Sequence, residues 1–331
     1  MILNPFALAS VFVGILSLLL VGGAGFSALY FYRQMKVSEA ADERAHAESR
    51  LHLSLLLLIT AFLLRLATWP LFYILLQSLI PEVPGAMCIY GVTQVMPAFI
   101  SFMQTLKPLA FFLIGGWLLF YGIDLSLGNH PLMDQSVRML VAAAAFAAVD
   151  GIAELSFVFL FSAPGVAVSC CTVVADIVMP AAPLIPIPLF GAHYHAALMA
   201  AHHGFNLGLP LISGFLSWKK NINHQWLALV AFGALLNCAI AYAAFKESLG
   251  PRLMHLPDHH CLYCLLQYRP VSILILGLFV LGSFLAIWPF WLSRLVDVDE
   301  GKERLALLNP SLLKYAAACL ATSWLLTILM R

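Results

Sequence analysis

The stretch HLPDHHCLYCLLQYRP, residues 255–270, gathers His255, Asp258, His259, His260, Cys261 and Cys264 into one short polar patch. Its two cysteines are spaced Cys-x-x-Cys, and two imidazoles stand directly before them. Three chemistries fit that pattern. Thiolates and imidazoles together suit Cu(I) or Zn(II). A Cys-x-x-Cys pair beside histidines also suits thiol–disulfide exchange, because cationic neighbours favour the reactive thiolate. The same two sulfurs could instead close a small structural disulfide loop.

Five further cysteines bear on the choice. Cys238 and Cys319 lie inside apolar segments and read as small buried hydrophobes. Cys88, Cys170 and Cys171 fall between such segments, as Cys261 and Cys264 do. Five loop thiols are an odd number, so disulfide pairing within one chain leaves at least one over. Cys88 could pair with Cys170 or Cys171. The vicinal Cys170-Cys171 would close a strained ring with itself, so each is more comfortable paired elsewhere or ligating a metal. The segments CIYGVTQ (88–94) and CLYCLLQ (261–267) share Cys-x-Tyr-x-x-x-Gln. That echo raises the expectation of a four-span repeat, 1–165 and 166–331, within a single integral membrane domain, 1–331.

The elements that must position these groups are membrane helices. Apolar residues make up 62% of the 331 and charged ones 10%, against about 25% charged in a soluble domain. Formal net charge is +1, with no basic stripe, so a nucleic-acid partner is not expected. A membrane helix needs about 20 mostly apolar residues. Eight segments qualify: 6–32, 51–76, 97–122, 137–162, 191–217, 225–246, 271–292 and 309–330. The expected fold is an all-α, polytopic membrane helix bundle of about eight transmembrane helices. The N-terminal segment lacks the basic region of a cleaved signal and reads as a retained helix. Its Gly14, Gly22, Gly23 and Gly25 would let a neighbouring helix approach closely. The apolar stretch 172–190 holds four prolines, which break the helical ladder, so a surface or re-entrant segment is expected there.

Lysine and arginine mark cytoplasmic loops. With eight spans, one set of loops and adjoining span ends holds Arg33, Lys36, Arg44, Arg50, Arg138, Lys219, Lys220, Arg294, Lys302, Arg304 and Lys314, and the other only Lys246, Arg252, Arg269 and Arg331. The first set is assigned to the cytoplasm. Both termini and all five loop cysteines then face outward from an inner (plasma) membrane, toward the periplasm or cell exterior. That compartment is oxidising in bacteria.

Charges inside a membrane cost roughly 2.5–3.5 kcal/mol each on insertion scales and by default mark function. Arg65, Lys107, Asp150 and Glu154 fall at the middle depths of three expected spans, and His202, His203 and Asn206 at the centre of a fourth. Asp150 and Glu154 are i, i+4 and share a helix face. His195 and His202 stand two turns apart on one face, and Asn206 continues that line inward. A path for protons or a metal ion, or a quinone head-group site, is one reading; ion pairs locking the helices together are the other. A bis-histidine haem is disfavoured, because only one span carries central histidines. His52 falls at a span end, and Asp124 and His130 at the edge of two spans, where solvated roles are expected.

In layout, outward thiol pairs above a helix bundle with a buried arginine are similar to the quinone-linked membrane proteins that make disulfides. Those bundles are smaller and share no longer motif with this chain, so the likeness implies no residue roles. Two functional expectations follow from the residues. In one, Cys261, Cys264 and His259 or His260 bind Cu or Zn. Cys88, Cys170 and Cys171 then act as further ligands or a hand-off site, the histidine line with Asp150 and Glu154 carries ions or protons, and a metal-carrier protein is the outside partner. In the other, Cys261 and Cys264 exchange with an outside thiol protein. Electrons then pass through Cys88, Cys170 and Cys171 to a quinone held by Arg65 or Lys107. Structural disulfides in a transporter or scaffold are the third possibility.

Overall fold

The computed structural model describes residues 4–37, 41–128, 130–162, 168, 193–219, 221–256 and 259–330, with backbone only at 41, 44 and 45. The expected re-entrant segment 172–190 and the pair Cys170-Cys171 lie outside the described residues. Among the described residues all regular structure is helical. Two compact units divide the chain, Met1–Val168 and Ser169–Arg331.

The first unit holds α1 (Pro5–Val37), α2 (Ala41–Ser78), the short α3 (Ile89–Thr93), α4 (Pro97–Leu125) and α5 (Met133–Leu160). Helix α1 packs against α2 and α5, and α4 against α5. Local chemistry sets the ends. Asn4 Oδ1 accepts from the backbone N–H groups of Phe6 and Ala7, while Asn4 Nδ2 donates to Ser78 Oγ at 3.0 Å. One side chain thus caps α1 and ties its start to the end of α2. Pro97 opens α4 at a position where a missing N–H costs nothing.

Helix α1 shows why this is a membrane fold. Its buried stripe is Ala7, Ser10, Gly14, Ser17, Val21, Ala24 and Ala28, all but one of them small. Its large apolar residues Phe12, Leu19 and Phe26, seven apart, are 69%, 68% and 74% exposed. A soluble helix would bury the large residues. Small residues inside and large ones outside is the order expected where lipid surrounds the bundle. Among the α1 glycines, a Cβ on Gly14 would meet a Leu155 side-chain atom at 3.0 Å, whereas one on Gly22 or Gly23 would meet nothing within 4 Å. Close approach therefore falls at Gly14 and not at Gly22 or Gly23.

The second unit holds α6 (Tyr194–Ser217), α7 (His224–Ala244), a π-helical turn (Phe245–Leu249), the short α8 (Gly250–Met254) and α9 (Leu262–Tyr268), α10 (Val271–Leu295) and α11 (Asp299–Leu329). The four long helices pack in a closed ring, α6 on α7, α7 on α10, α10 on α11 and α11 on α6.

Among the described residues, seven helices are long and apolar enough to cross a membrane, which gives the chain the make-up of a multi-pass membrane protein. The fifth expected span forms a helix of 24 residues, α6, but is not among the seven. His195, His202, His203 and Asn206 lie within it.

The two echoing motifs occupy equivalent places. Cys88 immediately precedes α3 and Cys261 immediately precedes α9. Nine residues after each stands a proline at the start of the next long helix, Pro97 for α4 and Pro270 for α10.

Candidate functional site

In the first unit, α2, α4 and α5 bring four charges together. Arg65 and Lys107 are 2% and 1% exposed, Asp150 and Glu154 3% and 0%. One Arg65 Nη2 donates to Asp150 Oδ2 and, at 3.0 Å, to Glu154 Oε2. Lys107 Nζ donates to Asp150 Oδ1 and to Glu154 Oε2, both at 3.1 Å. Each cation therefore binds both carboxylates. The i, i+4 spacing makes this possible, because it stacks the carboxylates one turn apart on one face of α5.

Two neighbours complete the enclosure. Ser17 Oγ of α1 lies 3.5 Å from Arg65 Nη1, and the Phe72 ring lies 5.1 Å from Lys107 Nζ. Gly151, beside Asp150, permits the close contact of α1: a Cβ there would stand 2.8 Å from Leu18 Cδ2. Two positive and two negative groups cancel, which offsets part of the cost of burying them. Two polar atoms of the cluster, Arg65 Nε and Glu154 Oε1, are buried with no hydrogen-bond partner. Unsatisfied groups of that kind are costly and rare.

In the second unit, the histidine line of α6 meets neighbours the sequence did not indicate. His202 and Asn206 are each 2% exposed. Asn206 Nδ2 donates to the His202 carbonyl at 2.9 Å and lies 3.2 Å from its Nδ1. The same amide exchanges hydrogen bonds with Asn237 of α7, at 3.2 and 3.3 Å. His203 accepts at Nδ1 from Trp324 Nε1 at 3.1 Å. His195, at the start of α6, pairs with Ser248 Oγ at 3.1 Å. His193, just before that helix, is exposed.

Ser248 belongs to the π-helical turn, and the ladder of that turn ends at a proline. In it Gly250 N–H bonds the Phe245 carbonyl, five residues back. The next carbonyl, that of Lys246, would look to residue 251, which is Pro251 and has no N–H. His260 Nδ1 lies 2.9 Å from this released oxygen. A carbonyl only accepts, so Nδ1 carries the proton and the lone pair falls on Nε2. Between Lys246 and Ser248 stands Glu247, 6% exposed, whose Oε1 has no hydrogen-bond partner. π-Turns of this kind occur frequently at functional sites.

The thiols follow directly. Cys261 and Cys264 flank the first turn of α9 and are half-buried. Cys264 packs on a cluster that includes Tyr194, Leu198 and Met199 of α6 together with Met254. The cysteine-bearing turn therefore rests on the N-terminal end of the helix that carries His195 and His202. His259 is half-buried, and His255 is exposed with a left-handed backbone, φ 57°, that ends α8. Asp258 lies outside the described residues. Cys88, in the first unit, is buried at the start of α3.

One expectation is corrected. Asp124 is not solvated but 0% exposed. Its Oδ1 accepts from the Leu132 backbone N–H at 2.8 Å and its Oδ2 lies 3.3 Å from His130 Nδ1. The connection from α4 to α5 folds back over the carboxylate and covers it.

No family model, curated protein or solved structure matches the chain. The functional reading therefore rests on the chain's own residues.

Proposed function

We propose that the protein is a multi-pass inner-membrane protein that takes up a soft metal ion, Cu(I) or Zn(II), at Cys261, Cys264 and His260. The observation that carries this is the bond from His260 Nδ1 to the Lys246 carbonyl. Metal-binding histidines almost always donate their other ring N–H to a carbonyl or carboxylate, which fixes the ring and its tautomer. His260 meets that condition one residue before the thiol pair. Support also comes from the cluster on which Cys264 packs, which includes Met199 and Met254, since thioethers and thiolates both suit Cu(I).

In this reading the loops bearing the thiols face the periplasm or cell exterior, on the lysine and arginine distribution. Cys88, Cys170 and Cys171, assigned to the same side, are hand-off ligands for an outside metal carrier. His195, His202 and Asn206 lead inward along α6. The shared Cys-x-Tyr-x-x-x-Gln motifs, each before a short helix and a proline-initiated long one, support an origin of the chain by tandem duplication.

A second reading is favoured by a different observation. Arg65 Nε and Glu154 Oε1 are buried without partners, as donor and acceptor groups for a quinone head-group would be. A thiol–disulfide oxidoreductase would use Cys261 and Cys264 to oxidise an outside thiol protein and pass two electrons to that quinone.

Metal analysis and thiol counting on protein purified in detergent without chelator separate the two. One equivalent of Cu or Zn fewer in His260→Ala than in the wild-type protein is the expected result. Equal metal content in the wild-type protein and His260→Ala, with a Cys264→Ser variant that traps mixed disulfides, would replace it with the oxidoreductase.

A further inference from the structure

At the end of the first unit remote from Cys88, α2, α4 and the α4–α5 connection converge on a second group of ligand-type side chains. Glu48 and His52 are i, i+4 on α2, with Glu48 Oε1 3.9 Å from His52 Nε2. His130 comes from the connection, and its ring centroid lies 5.4 Å from that of His52. One ligand atom from each of Glu48, His52 and His130 falls within 4.8 Å of the others.

Both rings are held from behind. His130 Nδ1 lies 3.3 Å from the buried Asp124 carboxylate, and His52 Nδ1 lies 3.3 Å from Tyr121 Oη. With each Nδ1 engaged, each Nε2 is left to coordinate. A carboxylate behind a histidine is the arrangement that orients metal-bound imidazoles and raises their basicity. The backbone of His130 has φ 49°, a left-handed conformation uncommon outside glycine. Asp124 holds it there through two contacts, one to the ring and one to Leu132 N–H. Strain of this kind persists where surrounding contacts over-determine it, and it clusters at functional sites. A merely solvated histidine needs neither the buried carboxylate nor the strained backbone.

We infer that Glu48, His52 and His130 form a site for a divalent transition-metal ion of the Zn(II) class. Two imidazoles and one carboxylate leave coordination positions open for water or an incoming ligand. Asp124 and Tyr121 are positioning residues. The inference is independent of the cysteine reading. The site contains no sulfur, so it selects borderline ions rather than Cu(I). On the lysine and arginine distribution it faces the cytoplasm, where it would receive or sense an ion inside the cell.

The test is Co(II) titration of the full chain in detergent, in a Cys261→Ser/Cys264→Ser background, followed by ligand-field absorption. One equivalent of Co(II) is expected, with a spectrum lacking sulfur-to-cobalt charge transfer. Glu48 is exposed at the surface, so Glu48→Gln leaves folding intact and is expected to weaken binding at least tenfold. Asp124→Asn is expected to weaken it by about 10–100-fold, the range for an orienting partner. Rescue of neither variant by other sites is expected, and His52→Ala/His130→Ala loses the equivalent. Equal Co(II) binding in the parent, in Glu48→Gln and in His52→Ala/His130→Ala would overturn the inference. The cysteine reading would be unaffected by that result, since its ligands are absent from the protein titrated.

Discussion

The backbone carbonyl of Lys246 accepts from His260 Nδ1 because Pro251, five residues on from Lys246, has no N–H to offer it. A proline in the chain thereby sets the tautomer of a histidine in the next loop. Pro251→Ala restores an N–H that competes for that carbonyl. It is expected to weaken metal binding about tenfold, the lower range for loss of an orienting partner. His259→Ala is expected to leave stoichiometry unchanged. Competition titration with a chromogenic chelator measures both.

The four buried charges of the first unit are balanced, and each single neutralisation unbalances them. Lys107→Met is expected to destabilise the protein by about 3–5 kcal/mol, the cost of stranding a buried charge. Lys107→Met combined with Glu154→Gln restores neutrality and is expected to recover a large part of that loss. Reversible unfolding in detergent across the four species of the cycle gives the coupling.

Gly151 allows α1 to lie close over the ion cluster. In Gly151→Ala the new methyl displaces the Leu18 side chain, whose Cδ2 is 2.8 Å from the Cβ position. A loss of about 1–3 kcal/mol is expected, as for other over-packed sites. Leu18→Ala in the same chain makes room for the methyl, and the double variant is expected to lose less than the two single variants summed. Thermal denaturation of the three variants is the measurement.

The orientation proposed from the positive residues has a direct chemical readout. In a chain that keeps only Cys261 among its cysteines, a membrane-impermeant maleimide added to intact cells is expected to label the protein. In a cysteine-free chain carrying Glu300→Cys, labelling is expected only after the membrane is opened. The reverse pattern would invert the proposed topology and put the Cys/His loop on the cytoplasmic side.

The sequence by itself determined the helical, membrane-type character of the chain. Apolar runs long enough to span are a local property, and the long helices from Pro5–Val37 to Asp299–Leu329 arise where those runs lie. It also singled out Arg65, Lys107, Asp150 and Glu154, because a charge within an apolar run is conspicuous whatever surrounds it. Which oxygen each cation meets was decided only by packing. Each residue along a helix turns the side chain by about 100° and advances it by about 1.5 Å. Partners on different helices are thus set by rotation and depth that composition does not contain.

The same reason hid the ends of the helices. Asp124 and His130 look like solvated residues at a span edge, and Glu48 and His52 like the polar start of a helix. Their shared cluster exists because the backbone folds back at Leu132 and covers Asp124, and because α2 presents one helical turn to α4. Glu247 and Ser248 were likewise silent in the sequence. They matter through a π-turn that stops locally at Pro251, while the consequence, a Lys246 carbonyl that meets His260, appears only once two separate segments meet. Local composition chooses the elements; contact between elements chooses the chemistry.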